Sequence, residues 1–319
     1  NGELKCWGGG YYGQLGDGIN TDSNKPSTTA IDLGTGRTAV AVSAGDAHAC
    51  AILDNGDLKC WGRDNFGQLG DGGTNSDTYA PSSTAIDLGT GRTAVAVDTG
   101  NYHTCAILDN GDLKCWGADQ YGGLGDGTPT ASTDAPSSTA IDLGTGRTAV
   151  AVSAGYYYTC ATLDNSDVKC WGWDAYAQLG DGVAYNDLNA PSSTAIDLGT
   201  GPTAVAVSAG GGHTCAILDN GDMKCWGRDH QGQLGDGGSR TNQVSPVAVS
   251  GSNTWDSSTG LSSGSGGGSG GGMTNVTGAT CTVSPALPTG LNIDSSTCTI
   301  SGTPTVEAVN ATYTVTAVI

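Results

Sequence analysis

The sequence is poor in several residue types, and each shortage argues against a class of protein. Among 319 residues there are one Phe, two Met and two Glu, and no run of 18 apolar residues that would make a membrane-spanning helix. Lys and Arg together number 12 against 31 Asp and Glu, which gives a net charge of −19. Binding to nucleic acids needs clusters of basic residues that neutralise phosphates, so this charge argues against it.

Glycine, in contrast, is abundant. The 54 glycines do not follow the every-third-residue spacing of collagen. With 37% hydrophobic and 13% charged residues, the chain is also too apolar and too weakly charged for a disordered polyelectrolyte. A folded protein rich in turns is the remaining interpretation.

Internal repeats organise most of the chain. Cys-Trp-Gly begins at five positions, with steps of 54, 55, 55 and 55 residues: Cys6, Cys60, Cys115, Cys170 and Cys225. A second cysteine series steps by 55 residues each time: Cys50, Cys105, Cys160 and Cys215. The chain therefore holds four units and a partial one, and its start in mid-hairpin leads us to expect a truncated first blade.

Each unit carries β signals. Asp54-Asn55-Gly56 lies between two apolar segments and predicts a hairpin. About four short strands per unit, repeated, predict an all-β fold of propeller blades of about 55 residues. A three-residue loop with Gly56 in the left-handed conformation places Cys50 directly opposite Cys60. The same spacing predicts four disulfides, which favour an oxidising compartment: Cys50–Cys60, Cys105–Cys115, Cys160–Cys170 and Cys215–Cys225.

The unit resembles the regulator of chromosome condensation repeat. The resemblance is carried by Gly210 to Leu218, by Cys-Trp-Gly at Cys225, and by Gly-Gln-Leu-Gly-Asp-Gly at Gly67. The resemblance covers residues 1–251 and implies a propeller, usually of seven blades, in a domain of residues 1–255. Further blades would then come from upstream or from another chain. The paired cysteines depart from the nuclear form and suggest a secreted branch that binds macromolecules through its loops.

The tail has two predicted parts. Residues 256–272 read as a Gly/Ser linker, and residues 273–319 form a small module of short strands. This module resembles immunoglobulin-like domains of microbial surface proteins, and the resemblance implies an added disulfide between Cys281 and Cys298. Asn275 and Asn310 lie in glycosylation sequons.

Comparison of the units separates an almost invariant frame from three variable loops. Ten of the eleven tyrosines lie in those loops. We interpret Tyr12, Phe66, Tyr121 and Tyr176, which share one repeat position, as frame packing, and the Trp of each Cys-Trp-Gly as core between blades. The remaining aromatic residues are candidates for a contact surface: Tyr11, Tyr79, Tyr102, Tyr156, Tyr157, Trp173 and Tyr185.

No catalytic or metal-binding arrangement is recognisable. His48, His103 and His213 share a repeat position, which favours a structural role, and the nucleophile elbow pattern is absent. No cofactor or metal site is predicted, although calcium at the acidic turns stays open. We therefore expect a non-enzymatic, extracellular or cell-surface protein that binds a protein or glycan. Two alternatives are a subunit of an extracellular fibre, completed by self-association, and a soluble enzyme inhibitor.

Overall fold

A computed structural model describes residues 2–129 and 132–250, together with four short strands of the tail. Blades 1 to 4 are the repeat units at 38–92, 93–147, 148–202 and 203–250, and residues 2–37 are the partial unit. The strands of the four blades are β1 Ala39–Ala44, β2 His48–Leu53, β3 Leu58–Gly62, β4 Ala94–Thr99, β5 His103–Leu108, β6 Leu113–Ala118, β7 Ser132–Thr133, β8 Ala149–Ala154, β9 Tyr158–Leu163, β10 Val168–Gly172, β11 Ala204–Ala209, β12 His213–Leu218, β13 Met223–Gly227 and β14 Gln243–Ala248.

Every blade is an antiparallel sheet whose strands follow chain order. The innermost strands β1, β4, β8 and β11 contact one another from blade to blade. The prediction of an all-β propeller is confirmed. In the tail, β15 Thr280–Ser284 pairs with β18 Thr314–Val318, and β16 Leu291–Ile293 pairs with β17 Ile300–Gly302.

The hairpin between the second and third strands has the predicted register. Ile52 pairs with Leu58 and Cys50 with Cys60, and Gly56 has a φ of 82°. All four predicted propeller disulfides are present, with Cα–Cα distances of 4.0 or 4.1 Å. In blade 3 the left-handed hairpin position holds Ser166, with a φ of 66°, where the other units have glycine.

The outermost strand differs from the prediction. Only blade 4 forms a six-residue strand there, β14, whereas blades 1 and 3 have single bridges, Gly62 to Thr78 and Gly172 to Leu188. The length of the connection also differs between blades. From Gly62 to Ile86 the chain takes 24 residues, but from Gly227 to the equivalent Val249 it takes 22. In blade 2 the connection from Gly117 to Ile141 also takes 24 residues, yet it forms the two-residue strand β7, so length alone does not decide the pairing.

Blades pack through the tryptophans of Cys-Trp-Gly. Trp61, Trp116, Trp171 and Trp226 have no exposed surface, and the Trp116 indole N–H donates to the Gln68 carbonyl of the preceding blade at 3.1 Å. Gly70 lies directly against that indole with a φ of 73°, so no other residue fits. Trp7 of the partial unit is 59% exposed, because the described chain provides no earlier loop to cover it.

Candidate functional site

Two of the variable loops lie at the same end of each blade. The first loop leads into the second strand and the second loop follows the third strand, and these two strand ends are paired, as His48 is with Gly62. Antiparallel pairing therefore brings both loops of one blade together, and the propeller arrangement sets the loops of successive blades side by side. One face of the propeller thus collects two variable loops per blade.

A buried aspartate holds the second loop in shape. Asp64 accepts a hydrogen bond from the Leu69 backbone N–H at 2.9 Å, and Asp174 accepts one from Leu179 at 3.1 Å. Burial raises the pKa of Asp64 to about 7 and that of Asp174 to about 6. The aspartate is the same in all four blades, whereas the residues on either side of it vary. Those flanking positions carry the diversity of the loop.

Aromatic rings on this face form one connected group across blades 1 to 3, and Tyr11 and Tyr12 form a separate pair. The Tyr102 ring lies 4.7 Å from Tyr157 and 5.4 Å from Tyr156, measured between centroids. Trp173 lies 5.6 Å from Tyr156 and 5.3 Å from Tyr176. Further contacts join Phe66 to Tyr102, Tyr121 to Tyr157 and Trp173, and Tyr11 to Tyr12. We call this set the aromatic strip: Tyr11, Tyr12, Phe66, Tyr102, Tyr121, Tyr156, Tyr157, Trp173 and Tyr176.

Two arginines accompany the aromatic strip. The Arg63 guanidinium lies 4.8 Å from the Tyr12 centroid and 5.7 Å from that of Tyr102, and it thereby links two parts of the strip. Arg228 lies 4.8 Å from the Tyr176 centroid. Such cation–π contacts contribute about 0.5–1 kcal/mol at exposed sites. They hold the guanidinium planes against the rings at two separate places.

Charged side chains of both signs lie on and around this face. The two arginines are accompanied by one exposed acid of the first loops, Asp46, while Asp64, Asp119, Asp174 and Asp229 of the second loops are buried. The net charge of the chain is −19. Acids of the long loops lie close by, since Asp77 accepts from the Asp64 backbone N–H at 2.9 Å and Asp187 accepts from that of Asp174 at 2.7 Å, so the face carries charges of both signs.

Five of the seven predicted candidates are in the aromatic strip: Tyr11, Tyr102, Tyr156, Tyr157 and Trp173. Tyr79 and Tyr185 are exposed, by 42% and 77%, in the long loops, and no ring contact links them to the strip in the described chain. Their role in binding stays a prediction, as does that of the five.

The residues interpreted as frame packing also contact rings of the strip. Tyr12, Phe66 and Tyr176 are half-buried and Tyr121 is 36% exposed, and all four join the strip. Gly212 leaves room for the Tyr176 ring, which a side chain at that position would meet at 2.9 Å. The sequence did contain a signal for these contacts. Each of these four rings comes before the first variable loop of the following blade along the chain.

The repeated histidines connect blades instead of facing a cleft. His48 Nε2 lies 2.8 Å from Thr104 Oγ1, and His103 Nε2 lies 2.9 Å from Thr159 Oγ1, both across a junction. Burial lowers the pKa of His48 to about 3 and that of His103 to about 4, so both are neutral. Tyr158 replaces the histidine in blade 3 and donates to the His213 carbonyl at 2.6 Å.

Other predicted sites fall in parts of the tail about which the structure gives no side-chain description. These are the Cys281–Cys298 disulfide, the sequons at Asn275 and Asn310, and the linker at 256–272. Within the described residues, no group of three or more His, Cys, Asp or Glu side chains is arranged to hold a metal ion. The same part of the chain contains no helix able to cross a membrane.

The fold and the repeats together define a β-propeller repeat protein. Comparison with known families shows which kind of repeat it contains. Residues 39–68, 94–122, 149–178 and 204–233 match a family model described as regulator of chromosome condensation (RCC1) repeat. A second model of that description matches residues 1–52 and 55–107. The chain belongs to the RCC1-repeat family. Residues 239–318 match a model described as "Putative Ig domain", whose first residues include β14 of blade 4.

Curated relatives and solved structures agree with this family. The ultraviolet-B receptor UVR8 of Arabidopsis thaliana is 32% identical over 254 residues, which are 77% of this chain and 53% of UVR8. The E3 ubiquitin-protein ligase HERC2 of Homo sapiens is 29% identical over 74% of this chain and 5% of HERC2. Yeast RCC1 (Prp20), solved with Kap60, has a TM-score of 0.62 at 18% identity, covering 73% of this chain and 53% of that one. This chain spans about half the length of UVR8 and of yeast RCC1, and the structural likeness shows the fold.

Proposed function

We propose that this RCC1-repeat protein is a non-enzymatic, secreted or cell-surface binding protein that presents its aromatic strip to a protein or glycan. The observation that carries the proposal is the contact of Tyr102, Tyr156 and Trp173 across blades 2 and 3. Tyr and Trp supply rigid contact area at a low entropic cost, and they are enriched where binding energy concentrates.

Relatives support a role in binding. Solved structures of yeast RCC1 (Prp20) are described as a complex with Kap60 and by binding to Gsp1p and histones. Those partners belong to that protein. For this chain they support the coarser statement that it is a repeat protein involved in protein binding, and the strip is our proposal for the surface it uses.

Two further features support the location and the absence of catalysis. Four disulfides, one per blade, are typical of proteins that mature in an oxidising compartment. Histidine is the usual general base in enzymes. His48 and His103 are buried, neutral and hydrogen-bonded to threonines across blade junctions. We propose that the immunoglobulin-like module at 273–319 acts as a spacer.

Affinity capture tests the proposal with repeat-matched substitutions. Tyr102→Ala, Tyr156→Asn and Trp173→Ala each introduce the residue that another blade carries at the same position: Ala47, Asn101 and Ala118. The wild-type chain and this triple variant are immobilised and incubated with extracellular material from the source organism. Bound proteins and glycans are then identified.

The matched control is a Tyr79→Ser, Tyr185→Ser double variant, which removes two exposed tyrosines outside the strip. We expect the wild-type chain and the control to retain the same ligand and the triple variant to lose it. Retention by the triple variant, with loss by the control, would refute the proposal and assign binding to the long loops.

A further inference from the structure

The variable loops that carry the aromatic strip also carry amide side chains. These are Asn65, Asn101 and Gln120, of which Gln120 hydrogen bonds to Tyr157. The exposed aliphatic side chains of the blades include Val95 of strand β4, which lies outside these loops. At the loop positions of the strip there is no Leu, Ile, Val or Met.

The hydroxyl groups of the strip remain hydrogen-bond donors. Burial is the main cause that raises the pKa of Tyr102 to about 12, and its hydrogen bond to Tyr156 adds to this. Burial also raises the pKa of Tyr157. Both phenols therefore keep their protons over the physiological range. Each ring offers an apolar face and a polar edge.

The guanidinium groups have donors to spare. Neither Arg63 nor Arg228 is among the ion pairs of the described chain, which join Arg37, Arg92 and Arg147 to hairpin aspartates. The Nε–H of Arg228 has no hydrogen-bond partner among the described residues, but it is buried, so a ligand would meet the terminal N–H groups. A planar fork of unpaired N–H groups suits a pair of hydroxyls or a carboxylate.

We propose that the ligand of the aromatic strip is a linear oligosaccharide, an inference that rests on the proposed function above. The C–H face of a pyranose ring is apolar and slightly positive, and it stacks on the negative face of Tyr and Trp rings. Its hydroxyls bond to the amides and guanidinium groups at the ring edges. An elongated chain of sugars fits because the ring contacts extend from Phe66 of blade 1 to Tyr176 of blade 3.

Trp173 gives a direct readout. The tryptophans of the four complete blades' Cys-Trp-Gly strands are fully buried, whereas Trp173 is half-buried in the strip. The full chain is titrated with cellohexaose, chitohexaose and hexagalacturonic acid at up to millimolar concentration, by fluorescence and by calorimetry. A neutral, an N-acetylated and an acidic sugar cover the donors and acceptors that the strip offers.

We expect saturable binding of one of these sugars with a change in tryptophan emission. Trp173→Ala should weaken it about tenfold or more, and Tyr156→Asn should weaken it as well. Val95→Thr, at an exposed position of strand β4 outside these loops, should leave the affinity within about twofold of the wild type. Both strip variants carry residues that other blades already accommodate, and unchanged thermal unfolding confirms that they fold.

Two results would overturn the inference. The first is that none of the three sugars binds, while the wild-type chain captures a protein from extracellular material and the Trp173→Ala variant does not. This result leaves the proposed function intact. The second is sugar binding that survives both strip variants, since it places the sugar elsewhere. If the strip variants change neither sugar binding nor capture, the proposed function fails as well.

Discussion

Asp98 connects three blades and gives the sharpest prediction about stability. Blades 1, 3 and 4 carry serine at this position of the innermost strand, and blade 2 carries Asp98, which is 1% exposed. Its carboxylate accepts from the Ser43 hydroxyl at 3.0 Å and from the Ala154 backbone N–H at 2.7 Å. In the next junction Ser153 accepts from Ala209 at 3.0 Å, so Asp98→Ser should keep this contact.

Burial raises the pKa of Asp98 from 3.8 to about 7, in spite of hydrogen bonds that lower it. The folded protein therefore holds this proton more tightly than the unfolded chain does. Its contribution to stability is complete below pH 3.8 and is lost as the pH rises to about 7. At 1.36 kcal/mol per pKa unit, the loss amounts to about 4 kcal/mol between pH 4 and pH 8.

Asp98→Ser should remove this loss. We expect the free energy of unfolding of the variant, minus that of the wild type, to increase by up to about 4 kcal/mol from pH 4 to pH 8. Urea unfolding followed by the fluorescence of the buried tryptophans measures both chains at each pH. The pKa values of Asp64 and Asp174 are raised as well, so the stability of the variant keeps a residual dependence on pH.

Asp46→Ser is the matched control, because it makes the same charge change at an exposed site. Its pH profile should follow that of the wild type. If the stabilities of Asp98→Ser and the wild type depend on pH identically, the pKa of Asp98 is not raised in the folded state. That result would refute the reasoning from its burial.

Three further predictions follow from single contacts. Ser166→Gly should stabilise the chain by about 1 kcal/mol, because Ser166 has a φ of 66° where the other units have glycine. The midpoint of thermal unfolding should rise by about 2–4 °C. An unchanged midpoint would contradict the argument from backbone strain. Replacing Cys105 and Cys115 by serine should cost about 2–3 kcal/mol, measured by urea unfolding of the non-reduced chain, and a cost near zero would contradict the loop-closure argument. Thr104→Val should cost about 1–3 kcal/mol, since it leaves His48 and the Gln68 carbonyl without that hydroxyl; an unchanged unfolding midpoint would contradict it.

The hairpin could be predicted from sequence because its determinants are local. Loop length and the left-handed glycine at Gly56 fix which residues face each other, and the pairing of Cys50 with Cys60 follows. The buried Trp116 followed from its repeat position. The outermost strand could not be predicted in the same way, because connections of equal length give a single bridge at Gly62 in blade 1 and the two-residue strand β7 in blade 2.

The aromatic strip could be predicted only in part. Tyr102, Tyr156 and Trp173 stood out because they vary between units. Their contacts with Phe66 and Arg63 depend on the distance between neighbouring blades, which the repeat length does not contain. Asp98 stood in the sequence as a departure from serine, yet its bond to Ala154 requires the folded junction.

Hydroxyl-radical labelling of the ligand-bound chain tests the central claim, that the aromatic strip is the binding surface. Labelling of tyrosine and tryptophan is compared with and without the captured ligand, by mass spectrometry of proteolytic fragments. We predict protection of Tyr102, Tyr156 and Trp173, while Tyr79 and Tyr185 stay reactive as internal controls. Protection of Tyr79 and Tyr185, with an unchanged strip, would contradict the claim.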